Sequence, residues 1–565
     1  MTELAAEGIS LRQRDTRRKA GDDSAHRGWL TDLFVAGLAL AASLTSLANG
    51  FAYDDRWVIL HNPRVHALAR VWRLWIETYW PPSMGASLYR PVTMTGFALE
   101  WAAGHGQAWT FHLASVALYI AVCVAMARLA RSILPAWAAA ASAALFAVHP
   151  VHVEAVANIV GQSELWAALC TIVAVFLYIR WRRERPLGGG AVATLCALTA
   201  LAAGAKEHGI VLPGLLVLAE ITVVGDQRPA DERWREVRPL ALALVATGLM
   251  YVAVRLRVVG GFAGDTPSVV FAHMAAMPRA WTMLGVVPEW TRLLVWPARL
   301  VADYAPQDVT LYDRFDISLL PAAALLVAVL TLAVASRRQW PAGAFGIGWT
   351  ALTLVPVSNV LLPTGVILAE RTLFLPSVGA MIAVGAAFAT SRDWVRRSSS
   401  ARSYGVMRAA AIGAASVLLI AAGWRSATRA RTWQNSETVF AQEVRDARLS
   451  YRAHYVYAGW LFEHGQPAGG EHEARLAIAL YPSDGVLRRD LGTQYMRAGM
   501  CAPAVPLFRD AIRLATGPTD ARVLLAACLL ELHDVDGARR EALQAVAEGG
   551  YSPDVHKVIA AARVH

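Results

Sequence analysis

The stretch from residue 28 to residue 58, GWLTDLFVAGLALAASLTSLANGFAYDDRWV, decides the fold. It begins with an apolar run, Trp29 to Ala48, that is long enough to cross a bilayer. An aspartate pair, Asp54-Asp55, follows shortly after that run. Ionisable groups close to hydrocarbon are costly and usually serve a purpose, so the pair predicts catalysis or ion handling at the mouth of a membrane protein.

The composition is that of an integral membrane protein, because 56% of the 565 residues are hydrophobic and only 17% are charged. Span-length apolar runs are confined to residues 28–424, whereas residues 425–565 carry charges at helical spacing. We therefore predict an all-α protein with a basic cytoplasmic tail over 1–27, a multi-span membrane domain over 28–424 and a soluble domain over 425–565. The first apolar run is interpreted as an uncleaved anchor, with a cleaved signal peptide as the alternative.

Hydropathy predicts about eleven spans, and loops rich in Arg alternate with loops that lack Lys and Arg, such as 149–161 and 358–368. This positive-inside asymmetry predicts a cytoplasmic N-terminus, and an odd number of spans then puts the C-terminal domain outside. Much of the net charge of +10 comes from the Arg-rich loops that indicate this topology. The charge is therefore poor evidence for nucleic acid binding, and no nucleic acid partner is predicted. The predicted spans are 28–50, 107–128, 135–150, 162–181, 188–204, 206–224, 240–257, 318–336, 341–358, 369–391 and 406–424.

Small residues in the soluble domain recur with a period of 34, which is typical of tetratricopeptide helix pairs. Such arrays commonly bind a peptide or protein, with a purely structural appendage as the alternative. The stretch 425–450 is predicted to cap the array. The recurring residues are Ala458, Gly492 and Ala526, then Ala477, Ala511 and Ala545, then Ala504 and Ala538.

Two long segments are predicted on the outer side, 51–106 and 258–317. Both are rich in Trp and Tyr, which favour the headgroup region, so we predict interfacial or re-entrant helices in the first and an amphipathic surface helix in the second.

The segment His149-Pro150-Val151-His152-Val153-Glu154 groups two imidazoles and a carboxylate. Zinc is a weak alternative because no further ligand set is evident, and a hydrogen-bonding cluster around a buried substrate is preferred. The five cysteines show no CxxC spacing, so no disulfide scaffold is predicted. A bridge between Cys501 and Cys528 stays open without support.

Several blocks follow one another in the order found in the transmembrane and tetratricopeptide repeat-containing proteins, and the chain resembles that family from residue 50 to the repeats. The family is similar to protein O-mannosyltransferases of the GT-C class, which take sugars from lipid carriers. The blocks are FAYDDRWVILHNP (51–63), Tyr89-Arg90-Pro91, HPVHVEAVANIVGQSELWA (149–167), KEHGI (206–210), LLVWPARLVADY (293–304) and LVPVSNVLLPTGVILAERTLFLPSVG (354–379).

The resemblance implies transfer of a sugar, mannose in this family, from a polyprenyl-phosphate carrier to a Ser or Thr hydroxyl of an extracytoplasmic protein. The repeat domain would bind the polypeptide acceptor. The chain departs from the family at two points. Gln162-Ser163 stand where the family commonly has Arg-Ala, and three repeats replace a longer array.

In this class the catalytic acid usually lies in the first external loop, where Asp54 and Asp55 stand. The reaction needs a base for the acceptor hydroxyl, and a partly desolvated carboxylate beside a like charge suits that role. Which of the two acts as the base is open. The alternative is a helix cap or an ion pair with Arg56.

Fixed donors are needed for the phosphate of the leaving group, and Arg371 is the first candidate because a guanidinium binds phosphate oxygens in pairs. A lone interfacial arginine could instead extend to the headgroups. Arg371 could also pair with Glu370, and Lys206 with Glu207. No metal ligand is assigned, and a divalent ion is left open as a cofactor. The further donor-site candidates are Glu370, Arg90, His149, His152, Glu154, Lys206 and Glu207.

Other classes of function are kept as alternatives. Within the enzyme class, the acceptor could be a glycan or a lipid. Outside it, the chain could be a transporter, although no internal repeat is seen over 28–424, or a membrane-anchored repeat scaffold. The Ala-rich and Arg-rich usage favours a bacterial plasma membrane.

Overall fold

A computed structural model describes residues 28–81, 88–184, 186–261, 269–272, 274–302, 304, 307, 309–514, 518–548 and 560. The predicted tail 1–27 and Asp303 lie outside the described residues. All regular elements in the described part are helices, as predicted. The chain divides into two compact units, Met1–Leu300 with Leu311–Asn435, and Val301–Thr310 with Ser436–His565.

The first unit is a bundle of apolar helices connected by short 3-10 turns. Its helices are α1 (Gly28–Ala48), α2 (Pro91–Gly104), α3 (Ala108–Ile133), α4 (Ala136–Ala147), α5 (Val153–Ala157), α6 (Gln162–Glu184), α7 (Gly189–Ala205), α8 (Leu212–Thr222), α9 (Ala230–Val259), α10 (Val269–Ala272), α11 (Ala276–Val295), α12 (Leu320–Ser336), α13 (Pro341–Leu354), α14 (Phe374–Ser398) and α15 (Ala401–Ala430).

Seven of the described helices are long and apolar enough to cross a membrane, or eight if the pair formed by α4 and Pro150–Ala157, bent by 48°, is one span. The chain is thus a multi-pass membrane protein, and the count of eleven spans is not confirmed. Each of the eleven predicted positions does carry a helix, but α7 and α13 are shorter apolar helices and α8 has only 11 residues. Hydropathy therefore located the apolar segments correctly without fixing how many of them cross.

Close contact between α13 and α14 depends on two glycines. A Cβ on Gly346 would lie 2.6 Å from the carbonyl oxygen of Gly379, and a Cβ on Gly379 would lie 2.4 Å from that of Gly346. Only glycine permits this approach of the two backbones. The buried Trp349 indole N–H donates to the Leu375 carbonyl at 2.9 Å and fixes the same pair. The packing fixes the start of α14, which follows the turn that carries Arg371.

The two long segments predicted on the outer side, 51–106 and 258–317, both contain helices, while their position relative to the membrane stays a prediction. The segment after α1 forms a turn of π-helix at Arg56–Leu60, a 3-10 helix at Leu68–Trp75 and then α2, which has 14 residues. The second segment contains α11, with Trp281 and Trp290 on it.

The second unit is a stack of antiparallel helix pairs. Its helices are α16 (Ser436–Asp446), α17 (Tyr451–Glu463), α18 (Pro467–Leu480), α19 (Gly485–Arg497), α20 (Cys501–Arg513), α21 (Pro518–Glu531) and α22 (Val535–Ala547). The predicted period is confirmed, because the small residues that recur every 34 positions are all buried where helices meet. A Cβ on Gly492 would lie 2.7 Å from the Phe508 ring. The tetratricopeptide interpretation of this part of the chain therefore stands.

The ends of the predicted array differ in detail from the expectation. Helix α15 runs unbroken to Ala430, past the boundary predicted at residue 425, and the units divide after Asn435. Cys501 and Cys528 form a disulfide with a Cα–Cα distance of 5.1 Å, which joins α20 to α21.

Candidate active site

The two adjacent aspartates in the loop after α1, Asp54 and Asp55, have different environments. Asp55 is fully buried, and its carboxylate accepts backbone N–H groups from Ala52 at 3.2 Å, Ile159 at 3.4 Å and Val160 at 2.9 Å. Burial raises the pKa of Asp55 to about 7, although these hydrogen bonds oppose the shift. Both oxygens of Asp55 thus face backbone amides, and this side chain ties the loop to the turn before α6.

Asp54 is half-buried, and its position differs from that of its neighbour. Its carbonyl oxygen accepts the N–H groups of Trp57 and Val58 at 3.1 and 3.0 Å, which begins the helical turn that follows. The charge of Asp54 acts on Arg371, on Tyr79 and on Asp55, so the side chain lies in a common electrostatic field with all three. Of the two aspartates, Asp54 is the one whose charge acts on Arg371, described next.

Arg371 lies in a 3-10 turn, Glu370–Leu373, that leads into α14. Its guanidinium pairs with Glu154, and its backbone N–H donates to the other oxygen of Glu154 at 2.8 Å. The Glu154 side chain is buried, while 21% of the Arg371 side chain is exposed. This arrangement holds the arginine from one side and leaves part of its side chain accessible.

Lys206 begins the short turn after α7, and its ammonium pairs with Glu164 in the first turn of α6. The other Glu164 oxygen lies 3.4 Å from His208 Nε2. Glu164 is fully buried and Lys206 is nearly so. The ammonium is also within electrostatic reach of Arg90 and Arg371, which places the three cations in one cluster.

Arg90 makes a two-pronged contact with Glu207, with Nε and Nη2 donating to Oε2 at 3.1 and 2.9 Å. Arg255 in α9 approaches the other oxygen of Glu207 at 3.5 Å. The Arg90 guanidinium also lies 4.9 Å from the centre of the Tyr79 ring, a cation–π contact. Arg90 is thereby held in place by the residues on either side of it.

The structure brings most of the predicted site residues together. In this cluster Glu154, Glu164 and Glu207 form ion pairs with four cations, Arg90, Arg255, Lys206 and Arg371. One positive charge of these seven groups is therefore not balanced by a glutamate, and Asp54 is not included in this count. The pairing partners differ from the sequence neighbours that were considered: Arg371 pairs with Glu154 rather than Glu370, and Lys206 pairs with Glu164 rather than Glu207. Glu370 itself is buried beside Arg371 in the chain.

His149 and His152 have protein partners at every ring nitrogen. His149 Nδ1 accepts from the Val151 N–H at 3.3 Å, and its Nε2 lies 3.1 Å from the Leu294 carbonyl. His152 Nδ1 lies 3.0 Å from the Tyr119 hydroxyl, and its Nε2 lies 2.8 Å from Ser377 Oγ. We therefore leave both histidines out of the proposed site. Among the described residues, no group of three or more His, Cys, Asp or Glu side chains has the arrangement of a metal site.

Sequence reasoning missed four residues of the cluster. Glu164 and His208 lie inside blocks that had been quoted for the resemblance, and Tyr79 lies in the tryptophan-rich outer segment. Arg255 had the clearest signal, because an arginine near the end of an apolar helix is costly unless it has a partner.

Comparisons with known proteins agree with the resemblance. No family model matches the chain. It is 24% identical over 502 residues to the human protein O-mannosyl-transferase TMTC1, covering 81% of this chain and 56% of that protein. It is 32% identical over 304 residues to the Drosophila melanogaster protein O-mannosyl-transferase Tmtc2, covering 50% of this chain and 32% of that protein. The chain spans about half the length of the curated relatives it matches.

Among solved structures, yeast Tom70 aligns at 13% identity over 75% of this chain and 92% of its own, with a TM-score of 0.21. The sequence relatives come from human, mouse, fly and worm, and all carry the same enzyme name. The chain is thus similar in sequence to proteins named protein O-mannosyl-transferases, in agreement with the resemblance.

Proposed function

We propose that the chain transfers a sugar, mannose by analogy with the names of its relatives, from a polyprenyl-phosphate carrier to a Ser or Thr hydroxyl of an extracytoplasmic protein. The observation that carries this proposal is the setting of Asp54, a half-buried carboxylate whose charge acts on Arg371, one of the clustered cations. A base next to a phosphate-binding group is the arrangement that glycosyl transfer from a lipid phosphate requires.

The proposed step balances as a displacement at the anomeric carbon. Asp54 accepts the proton of the acceptor hydroxyl, and the acceptor oxygen forms the new bond to the anomeric carbon. The bond from that carbon to the phosphate oxygen breaks, and the lipid phosphate leaves with the electron pair. Asp55 takes no part in proton transfer, because its two oxygens already accept backbone N–H groups that fix the loop.

Arg371 is the proposed contact for the leaving phosphate. Its partly exposed fork is oriented by Glu154, which also accepts its backbone N–H. Lys206 and Arg90 are held by Glu164 and Glu207, so they add positive potential without being free to collapse onto Asp54. Fixed charges of this kind stabilise a transition state because they need no reorganisation during the reaction.

The repeat unit is the proposed binding site for the polypeptide acceptor. Tetratricopeptide arrays present a concave surface to partner chains. The Cys501–Cys528 disulfide supports an extracytoplasmic location for this unit, because disulfides persist in oxidising compartments. The positive-inside pattern by itself favours a cytoplasmic N-terminus.

The test uses the purified full chain, radiolabelled polyprenyl-phosphate-mannose and a Ser/Thr-containing acceptor peptide. We expect transfer by the wild type, loss of transfer in Asp54→Asn, and wild-type transfer in Asp313→Asn, which changes an exposed aspartate far along the chain. Transfer that survives in Asp54→Asn would remove Asp54 as the base. Absence of transfer by the wild type with lipid-linked mannose, glucose and N-acetylglucosamine would overturn the enzyme proposal.

A further inference from the structure

The end of the last apolar helix lies against the loop that carries Asp54. Three hydrogen bonds join the two segments. Thr45 Oγ1 donates to the Ala427 carbonyl at 2.8 Å, Asn49 Nδ2 donates to the Ala430 carbonyl at 2.9 Å, and the Gly50 N–H donates to the Gln434 carbonyl at 2.8 Å. These contacts run from the last turns of α1, at Thr45, to the first two residues of the connection that leads to Asp54, Asn49 and Gly50.

An aromatic contact continues this series up to the residue before Asp54. The rings of Tyr53 and Trp433 meet edge to face, with centroids 6.3 Å apart and planes at 72°. Trp433 is only 2% exposed. Tyr53 has a φ of 54°, in the left-handed region that residues with a Cβ rarely adopt. Such a conformation persists only where surrounding contacts hold it, and Trp433 supplies one of them.

Most of helix α15 is not buried against the first unit. Its buried residues are Ser426 and Ala430, both in its last turns, and Ser426 Oγ donates to the Val148 carbonyl at 2.8 Å. The helix thus attaches to the unit chiefly at the end that contacts the Asp54 loop. Four residues of chain after Ala430 complete the same contact before the first unit ends at Asn435.

We infer that residues 427–434, here called the linker clamp, position Asp54 for the reaction, with Trp433 of the clamp and Asn49, which donates to the clamp, as positioning residues. The inference rests on the proposed function, in which Asp54 is the base. The clamp holds Tyr53 in its left-handed conformation, and this conformation sets the direction in which the next residue projects. The repeat unit begins after Asn435, directly after the linker clamp. The clamp is therefore also the covalent connection between the membrane helices and the proposed acceptor-binding unit.

The main variant is Trp433→Ala, compared with Trp433→Phe and with Trp424→Ala. Trp424 lies on α15 shortly before the clamp, is 74% exposed and is the matched control. We expect Trp433→Ala to lower kcat by about 10²-fold with the KM for the lipid donor unchanged, since a misplaced base slows chemistry without weakening phosphate contacts. Trp433→Phe keeps an aromatic ring in the contact and should recover most of the rate. Trp424→Ala should match the wild type.

A second measurement does not depend on turnover. Hydrogen–deuterium exchange of the backbone amides of residues 49–55 should rise in Trp433→Ala and stay at the wild-type level in Trp424→Ala. Unchanged exchange in that loop, or a kcat that Trp433→Ala leaves intact, would overturn the clamp. If the wild type transfers no sugar, the enzyme proposal fails, while the exchange result still decides whether the clamp orders the loop.

A variant with a flexible insertion between the clamp and the repeat unit tests which of the two orders the Asp54 loop. Four residues, Gly-Ser-Gly-Ser, placed after Asn435 leave the hydrogen bonds of residues 427–434 in place. We expect such a chain to transfer sugar to a short acceptor peptide at the wild-type kcat. A loss of kcat equal to that of Trp433→Ala would show that the repeat unit, rather than the clamp, orders the loop, and would overturn the inference.

Discussion

Asp55 accepts the backbone N–H of Val160 at 2.9 Å, across 105 residues of sequence. This bond fastens the loop after the first apolar helix to the turn that begins α6. Glu164, the partner of Lys206, lies in the first turn of α6. The start of α6 therefore contributes both to the position of the Asp55 loop and to the cation cluster. The neighbouring aspartates thus have different structural settings, and their substitutions should have different effects.

The two aspartate-to-asparagine variants should separate structure from chemistry. Asp55→Asn replaces one acceptor oxygen by an NH₂ group that faces backbone N–H donors. A buried donor left without an acceptor costs about 1–3 kcal/mol, so the free energy of unfolding should fall by that amount. Asp54→Asn should leave the unfolding temperature unchanged and lower transfer by about 10²–10⁴-fold, the usual worth of a general base. Tryptophan-monitored thermal unfolding in detergent and transfer assays on both variants check this.

The reverse pattern would contradict the assignment. If Asp55→Asn kept its unfolding temperature and lost transfer, Asp55 would be the base and Asp54 the supporting residue.

The buried Asp55 should make stability depend on pH. Its pKa is about 7 in the folded protein, against 3.8 for an ordinary aspartate. Between those values the folded state holds a proton that the unfolded chain has released, so the contribution of this group falls as pH rises from about 4 through 7. We expect the wild type to lose stability over that interval and Asp55→Asn to show a shallower slope. Unfolding temperatures at pH 5, 6, 7 and 8 measure both slopes, and parallel slopes would exclude Asp55 as the source.

Arg371→Lys tests the phosphate contact while keeping the charge. A lysine ammonium is a point charge and does not reproduce the planar fork that binds two oxygens. We expect kcat/KM for the lipid donor to fall by about 10–10²-fold, which corresponds to the loss of one charge-assisted hydrogen bond. Arg396→Lys, an exposed position in the last turn of α14, is the control and should behave as the wild type. Equal kinetics for Arg371→Lys and the wild type would show that the fork does not contact the donor.

Thiol labelling tests whether the disulfide between Cys501 and Cys528 is present. The chain has five cysteines, and Cys123, Cys170 and Cys196 are free. Maleimide labelling of the unfolded chain should therefore modify three thiols without reductant and five after reduction. Cys501→Ser should lower the stability of the repeat unit by about 2–4 kcal/mol, whereas Cys196→Ser should not change it. Five labelled thiols without reductant would show that the bridge is absent.

Much of the fold was predictable from local patterns. Apolar runs located the membrane helices, because hydrophobicity is a property of the segment itself. The period of 34 identified the helix pairs, because Ala458, Gly492 and Ala526 occupy the same close contact in successive units. The number of crossings was less predictable, since α7 and α8 are too short for length alone to decide.

The sequence identified part of the charged cluster and none of its ion pairs. Asp54, Arg90, Lys206 and Arg371 were candidates because they are charged residues next to apolar runs. Their partners lie far away in the sequence, as Glu154 is 217 residues from Arg371, and no local pattern carries that information. The same limit applies to the aspartate pair, because only the position of Ile159 and Val160 distinguishes Asp55 from its neighbour.

The Lys206–Glu164 pair also has a consequence for biogenesis. The two residues are 42 positions apart and belong to the ends of successive apolar helices, α6 and α7. During synthesis Glu164 leaves the ribosome first, and for that time its carboxylate has no ammonium to neutralise it. An unpaired charge resists entry into lipid, so α6 should wait at the insertion channel until α7 arrives and then enter together with it. A nascent-chain force profile should accordingly show one joint event for α6 and α7, and Glu164→Gln should split it into two.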